Sequence, residues 1–274
     1  MAIYATVVAE SPNTLQAAAL FGDHLLLTYL VDASNRVLVY DLPAAGSVAE
    51  DGAGPEGRML TLPALGSVAG LSGRQGDDAF YLTFTSFAHP ATIYRSSLTD
   101  LGLEPFFTPT LPIEPSDYEV EQVFMRGDDG TRIPMFLVHK AGITLDGSHP
   151  TYLYGYGGFN ISITPAFSAA NLAWVEQGGI FAQAVLRGGG EYGEEWHQAG
   201  MLEKKQNVFD DFIACARYLV RNGYTSKDKL AIGGRSNGGL LAAACLVQEP
   251  DMFGAAIPEV GVLDMLRYHK FTIG

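Results

Sequence analysis

Apolar residues come in two short runs between residues 24 and 42, HLLLTYLV and RVLVYDL, with the polar stretch Asp32-Ala33-Ser34-Asn35 between them. Two β-branched, aromatic-rich runs around such a turn predict a hairpin of strands over 24–31 and 36–42. A Gly, Ala, Pro and Glu-rich loop follows from 43 to 58, then a short strand over 59–65. The pattern then recurs, with strands predicted over 67–72, 79–86 and 91–98 and a polar turn over 73–78. Helical periodicity is almost absent before residue 117. Short strands in groups of about four, repeating every 40–50 residues, are the mark of propeller blades. Two such groups are present, with one stray strand over 3–8. Two blades alone would leave bare sheet edges.

The pattern changes at residue 117. Segments 118–125 and 131–139 alternate around Gly127-Asp128-Asp129-Gly130, a hairpin turn signal. A short strand over 152–154 runs into glycines, 166–177 reads as a helix, and 180–186 as a strand entering Arg187-Gly188-Gly189-Gly190-Glu191. Apolar residues at Phe209, Phe212, Ile213, Ala216 and Leu219 place one buried face on a helix over 208–221. Strands at 230–232 and 255–260 flank a further helix. Strands alternating with helices after an opening hairpin predict a mostly parallel sheet covered on both faces. The chain therefore divides at 117/118 into a partial β-propeller and the first part of an α/β-hydrolase core.

The organising stretch of that second part is residues 230–242, LAIGGRSNGGLLA. An apolar strand leads through Gly234-Arg235-Ser236-Asn237-Gly238 into an Ala- and Leu-rich helix, the layout of a nucleophile elbow. In a turn this tight, the positions two before and two after the serine approach neighbouring backbone, where a Cβ would clash. Ser236 would stand at the tip with its hydroxyl exposed. The N-terminus of the following helix would face the point where negative charge develops. The alternative is a glycine-rich turn with a solvated serine. Acyl transfer also needs oxyanion donors. One is the backbone N–H of Asn237, and a second is expected from the loop 154–159, YGYGGF.

Composition narrows the function classes. The 274 residues are 47% hydrophobic and carry a net charge of −13. That charge speaks against nucleic acid or an anionic membrane as partner. No apolar run approaches the roughly 20 residues that span a bilayer, and the first residues lack the basic start and apolar core of a signal peptide. A cytoplasmic protein is expected. Cys215 and Cys245 lie in predicted helices with no metal-ligand spacing, so buried free thiols are expected and no metal or cofactor is called for.

Four separated motifs then carry a resemblance: YGYGGFNISI (154–163), RGGGEYG (187–193) with Trp196-His197, GRSNGG (234–239) and VGVLDML (260–266). Together, in this order, the chain resembles the prolyl oligopeptidase family of serine peptidases. The resemblance implies an α/β-hydrolase domain paired with a seven-bladed propeller, cleavage of short peptides after proline, and a monomer when complete. It puts the nucleophile on Ser236, the oxyanion donors on the Tyr156 hydroxyl and the Asn237 N–H, and walls of the proline pocket on Phe159 and Val262. Related oligopeptidases and acylpeptide hydrolases differ around the serine and in the glycine-tyrosine loop. They remain an alternative, as does a non-catalytic binding protein of the same fold.

The triad acid and base follow the serine in this fold, each after a later strand. Only one strand is predicted after Ser236, so both are expected beyond Gly274 and the chain reads as an internal fragment. His269 is the only histidine after Ser236 and comes too early for the base. His197, beside Trp196, is expected to be a structural hydrogen-bonder. Asp210-Asp211 and Glu191, Glu194 and Glu195 are expected on solvated faces or in local ion pairs.

Overall fold

A computed structural model describes residues 6–42 and 56–271. The chain forms two units, residues 1–111 with 164–167 and residues 112–163 with 168–274. The first holds two four-stranded sheets, each taken in chain order with antiparallel neighbours. One comprises β1 (Thr14–Phe21), β2 (His24–Val31), β3 (Ser34–Asp41) and β4 (Arg58–Leu60). The other comprises β5 (Ser67–Gly73), β6 (Ala79–Ser86), β7 (His89–Ser97) and β8 (Leu103–Phe107). Side chains from both sheets share one core, with Phe21, Leu26, Val37 and Val39 meeting Phe80, Leu82, Phe84 and Tyr94. The Phe21 and Phe80 rings stack across it, centroids 6.0 Å apart.

Two strands were not legible in the pattern. β1 reads TLQAAALF and β8 reads LEPFF, and both are largely exposed edge strands. Backbone pairing to β2 and β7 holds them, so neither needs the alternating apolar residues that announce a half-buried strand. The stray strand predicted over 3–8 is not found: residues 6–8 lack strand structure, and 3–5 lie outside the described residues. Most of the loop predicted over 43–58 also lies outside them. The first hairpin turns more tightly than predicted. Val31 pairs with Ser34, leaving only Asp32 and Ala33 in the turn, both at positive φ (49° and 60°).

The second unit is a six-stranded sheet flanked by helices. Its strands are β9 (Tyr118–Arg126), β10 (Arg132–Lys140), β11 (Thr151–Tyr154), β12 (Ile180–Ala184), β13 (Leu230–Arg235) and β14 (Ala255–Glu259). The spatial order is β14-β13-β11-β12-β10-β9. The opening hairpin β9–β10 and its junction with β12 are antiparallel, and the remaining pairs are parallel. Helices α1 (Ala169–Glu176), α2 (Glu194–Gln198), α3 (Gln206–Arg221) and α4 (Asn237–Gln248) complete it. The apolar stripe of α3 (Val208, Phe212, Cys215, Ala216, Leu219) and that of α4 (Leu241, Ala242, Cys245) bury against Leu137, Leu153, Ala182 and Ile232 of the sheet. Cys215 and Cys245 are free and buried, and burial pushes both thiols up from their ordinary range.

The parallel strands β11, β12 and β13 all end at the same edge of the sheet. Their following loops, 155–163, 185–193 and the turn at Ser236, therefore meet there. In open α/β sheets this carboxyl edge is where ligands bind.

Candidate active site

Ser236 joins β13 to α4 with φ 57° and ψ −114°. A non-glycine residue with these angles is strained, and the surroundings hold it in place. Its N–H donates to the Glu259 carbonyl of β14 (2.9 Å), and its own carbonyl accepts from Gly239 (2.9 Å) and Leu240 (3.1 Å). The serine is exposed, whereas Asn237, Gly238 and Gly239 beside it are buried. Its side chain does not cap α4. A Cβ on Gly234 would strike the carbonyls of Gly238 and Gly155, and one on Gly238 would strike that of Gly155. The steric demand read from Gly234-x-Ser236-x-Gly238 is met in full. This is a strained strand-to-helix elbow rather than a relaxed turn.

The loop after β11 is tied to the elbow. Gly155 N–H donates to the Gly233 carbonyl (3.2 Å). The buried Asn237 side chain reaches across, its Nδ2 donating to the carbonyls of Tyr156 (2.5 Å) and Gly157 (3.0 Å). Lys205, just ahead of α3, donates from Nζ to the Gly157 carbonyl (2.9 Å) and to Asn237 Oδ1 (3.1 Å). Gly157 takes positive φ (59°) to make this turn. Tyr156, half-buried, is thereby held on the segment bonded to Asn237, whose backbone N–H follows Ser236. That N–H belongs to the first turn of α4, where no intrahelical acceptor exists.

A third loop braces the second. Asn160 N–H donates to the Gly188 carbonyl (3.1 Å), and His197 Nδ1 lies 2.8 Å from that same carbonyl and 3.1 Å from the Asn160 N–H. Trp196 Nε1 donates to the Leu186 carbonyl (2.8 Å). His197 is thus a structural hydrogen-bonder, as expected. Of the carboxylates, Asp210, Glu194 and Glu195 lie on exposed faces and Asp211 is in an ion pair, as expected, whereas Glu191 departs from the expectation. Asp211 is fully buried and Glu191 is 2% exposed, so neither lies on a solvated face. Asp211 pairs with Arg187, an ion pair within the fold. Glu191 Oε1 accepts from the Ile163 N–H (2.7 Å), and burial pushes its carboxyl up to about 7. Glu194 and Glu195 are exposed in the first turn of α2.

The sequence resembles known proteins along nearly its whole length. It matches the profile of the prolyl oligopeptidase family over residues 165–273 and that of the prolyl oligopeptidase N-terminal beta-propeller domain over residues 4–106. A prolyl endopeptidase of Elizabethkingia meningoseptica is 45% identical over 268 residues, 98% of this chain. The chain belongs to the prolyl oligopeptidase family. It spans 36% of the length of that relative. Among solved structures, prolyl oligopeptidase B from Galerina marginata, bound to a 25mer macrocyclization substrate, superposes with a TM-score of 0.86 at 36% identity. That match covers 97% of this chain and 36% of the other. A post-proline cleaving enzyme from Rickettsia typhi gives a TM-score of 0.83 at 32% identity, covering 96% of this chain and 37% of that one.

Within this family frame, Phe159 stands 73% exposed at φ 56° on the loop after β11, and Val262 is half-buried beyond β14. His269 is exposed. A cavity of about 480 Å³ lined by Tyr152, Tyr154, Trp174, Phe181, Ile257 and Glu259 contains none of the predicted site residues. No group of three or more metal-ligating side chains occurs among the described residues. No helix there is long and apolar enough to cross a membrane. Sequence reasoning missed Lys205 and the side chain of Asn237. Lys204-Lys205 resembles any solvated pair, and no local spacing shows that one of them turns inward.

Proposed function

We propose that this chain carries the nucleophile and oxyanion donors of a serine endopeptidase that cleaves short peptides on the carboxyl side of proline. The observation that carries the reading is the strained, exposed Ser236 at the head of α4, with the Tyr156 loop bonded to the adjacent Asn237. Ser236 attacks the scissile carbonyl. The oxygen that becomes negative is received by the Asn237 N–H and the Tyr156 hydroxyl, donors arranged before charge develops. Phe159 and Val262 offer apolar surface to the proline ring, whose burial is favourable at about 25 cal/mol per Å². None of the described histidines is hydrogen-bonded to Ser236, so the reading requires other residues of the protein to accept its proton. No cofactor has a role in this chemistry. Buried free thiols at Cys215 and Cys245 support a reducing compartment, the cytoplasm. The working form is taken as a monomer.

The test uses the protein that carries this chain, a proline-linked chromogenic peptide and a fluorophosphonate probe. Turnover and covalent labelling should both vanish in Ser236→Ala. Labelling without peptide turnover, alongside cleavage of esters or acylated peptides, would reassign the substrate. No labelling and no turnover would leave a binding protein of the same fold.

A further inference from the structure

Lys205 is a charged group placed where charge is costly. Its side chain runs inward from the start of α3, and its ammonium finds no carboxylate there. It takes a peptide carbonyl (Gly157, 2.9 Å), an amide oxygen (Asn237 Oδ1, 3.1 Å) and, more distantly, the Phe209 ring at 5.9 Å. Burial alone pulls its pKa down to about 8. A half-buried ammonium without an anionic partner loses hydration that two neutral acceptors replace only in part. A hydrocarbon side chain would fill this space with less penalty. The benefit must lie in what the donors fix.

They fix the Asn237 amide. An ammonium can only donate, so the group facing it must be Oδ1. Nδ2 is thereby turned toward the loop, where it meets the carbonyls of Tyr156 and Gly157. Three segments distant in the chain are locked at one point: the head of α3, the loop after β11 and the elbow. The two loop carbonyls favour this orientation from one end of the amide and Lys205 holds it from the other, so losing Lys205 leaves Oδ1 without its donor and the amide less firmly set. The flipped amide would present Oδ1 to two carbonyl oxygens and repel the loop that carries Tyr156.

We propose that Lys205 is a positioning residue, which orients the Asn237 side chain and so sets Tyr156 against the Asn237 N–H for the attack by Ser236. This inference rests on the peptidase reading above. Its consequence is confined to the transition state. The donors bind charge that appears only during reaction, so their misplacement lowers kcat and leaves KM nearly unchanged.

The experiment is a double-mutant cycle in the protein that carries this chain, with a proline-linked peptide as substrate. Lys205→Met keeps the length of the side chain and removes the donors. It should lower kcat by about tenfold, with KM within about twofold. In a Tyr156→Phe background the same substitution should cost less than about twofold, because the group it positions is gone. Equal losses in both backgrounds, a change in KM alone, or an unchanged kcat would overturn the proposal. Should Lys205→Met fail to fold, Lys205→Leu, which also lacks donors, carries the same comparison. If Ser236→Ala keeps full turnover, the peptidase reading fails and this inference falls with it. If Ser236→Ala and Tyr156→Phe are impaired but Lys205→Met is not, only the present inference is lost.

Discussion

Arg187 and Asp211, 24 residues apart in the chain, meet as a buried ion pair with Nη2 to Oδ1 at 2.6 Å and Nε to Oδ2 at 2.9 Å. Asp211 also accepts the Arg187 backbone N–H (3.2 Å), so the pair anchors the loop after β12 to α3. Asp129 adds a second carboxylate to the guanidinium at 2.5 Å. Removing Asp211 leaves the buried guanidinium paired only with the half-exposed Asp129, a loss of up to about 3–5 kcal/mol. Asp211→Ala is therefore expected to destabilise the protein by that amount, measured by urea unfolding. A change below about 1 kcal/mol would show that the loop does not depend on this pair.

Glu191 makes stability depend on pH in the opposite sense to an ordinary paired carboxylate. Its folded pKa is raised from 4.5 to about 7, chiefly by burial. Its favourable state is the neutral one, so stability is full below the unfolded value and declines as pH rises through 4.5 to 7. The loss amounts to roughly 3 kcal/mol. Glu191→Gln cannot ionise, so unfolding curves at pH 5 and pH 7.5 should differ less in this variant than in the unsubstituted protein. An identical pH dependence in both would remove Glu191 as the source.

Asp129 works the other way. The Thr131 backbone N–H first, and then the Arg187 guanidinium, hold its carboxyl down to about 2. Its contribution is present above the unfolded value of 3.8 and is lost as pH falls toward 2. Asp129→Asn should flatten the acid limb of the stability profile between pH 4 and pH 2. An unchanged acid limb would count against the triad with Arg187.

Gly238 separates two effects of known sign. It lies within α4, where alanine in place of glycine would favour the helix by about 1 kcal/mol. The added Cβ would meet the Gly155 carbonyl, a backbone atom held in the loop after β11. The clash should win, since overpacking costs about 1–3 kcal/mol and displaces that loop. Gly238→Ala is expected to lower kcat at least tenfold with a reduced thermal midpoint. A variant that is both more stable and fully active would mean that the loop has room to move.

Local sequence determined much of this protein. Alternation and β-branched runs placed β2, β3, β6 and β7 to within about two residues, because a half-buried strand must repeat its apolar face every second position. The apolar stripe of α3 was visible for the equivalent reason at a period of 3.6. The elbow was legible because Gly234, Ser236 and Gly238 stand in one contiguous run, although part of the demand for glycine comes from the Gly155 carbonyl of another loop. β1 and β8 escaped, since edge strands are held by backbone bonds that leave no side-chain signature.

Only the tertiary structure decided which polar groups are buried and what they hold. Asp210 and Asp211 are neighbours in one helical run, yet the first is exposed and the second fully enclosed around Arg187. Asn237 bonds to a carbonyl 81 residues away, and Lys205 to one 48 residues away. Such partners are set by the order β13-β11-β12 in the sheet, which brings the ends of non-consecutive strands together at one edge. No spacing in the chain encodes that meeting. A buried polar side chain needs a partner in space, and that partner can come from anywhere the fold returns the backbone.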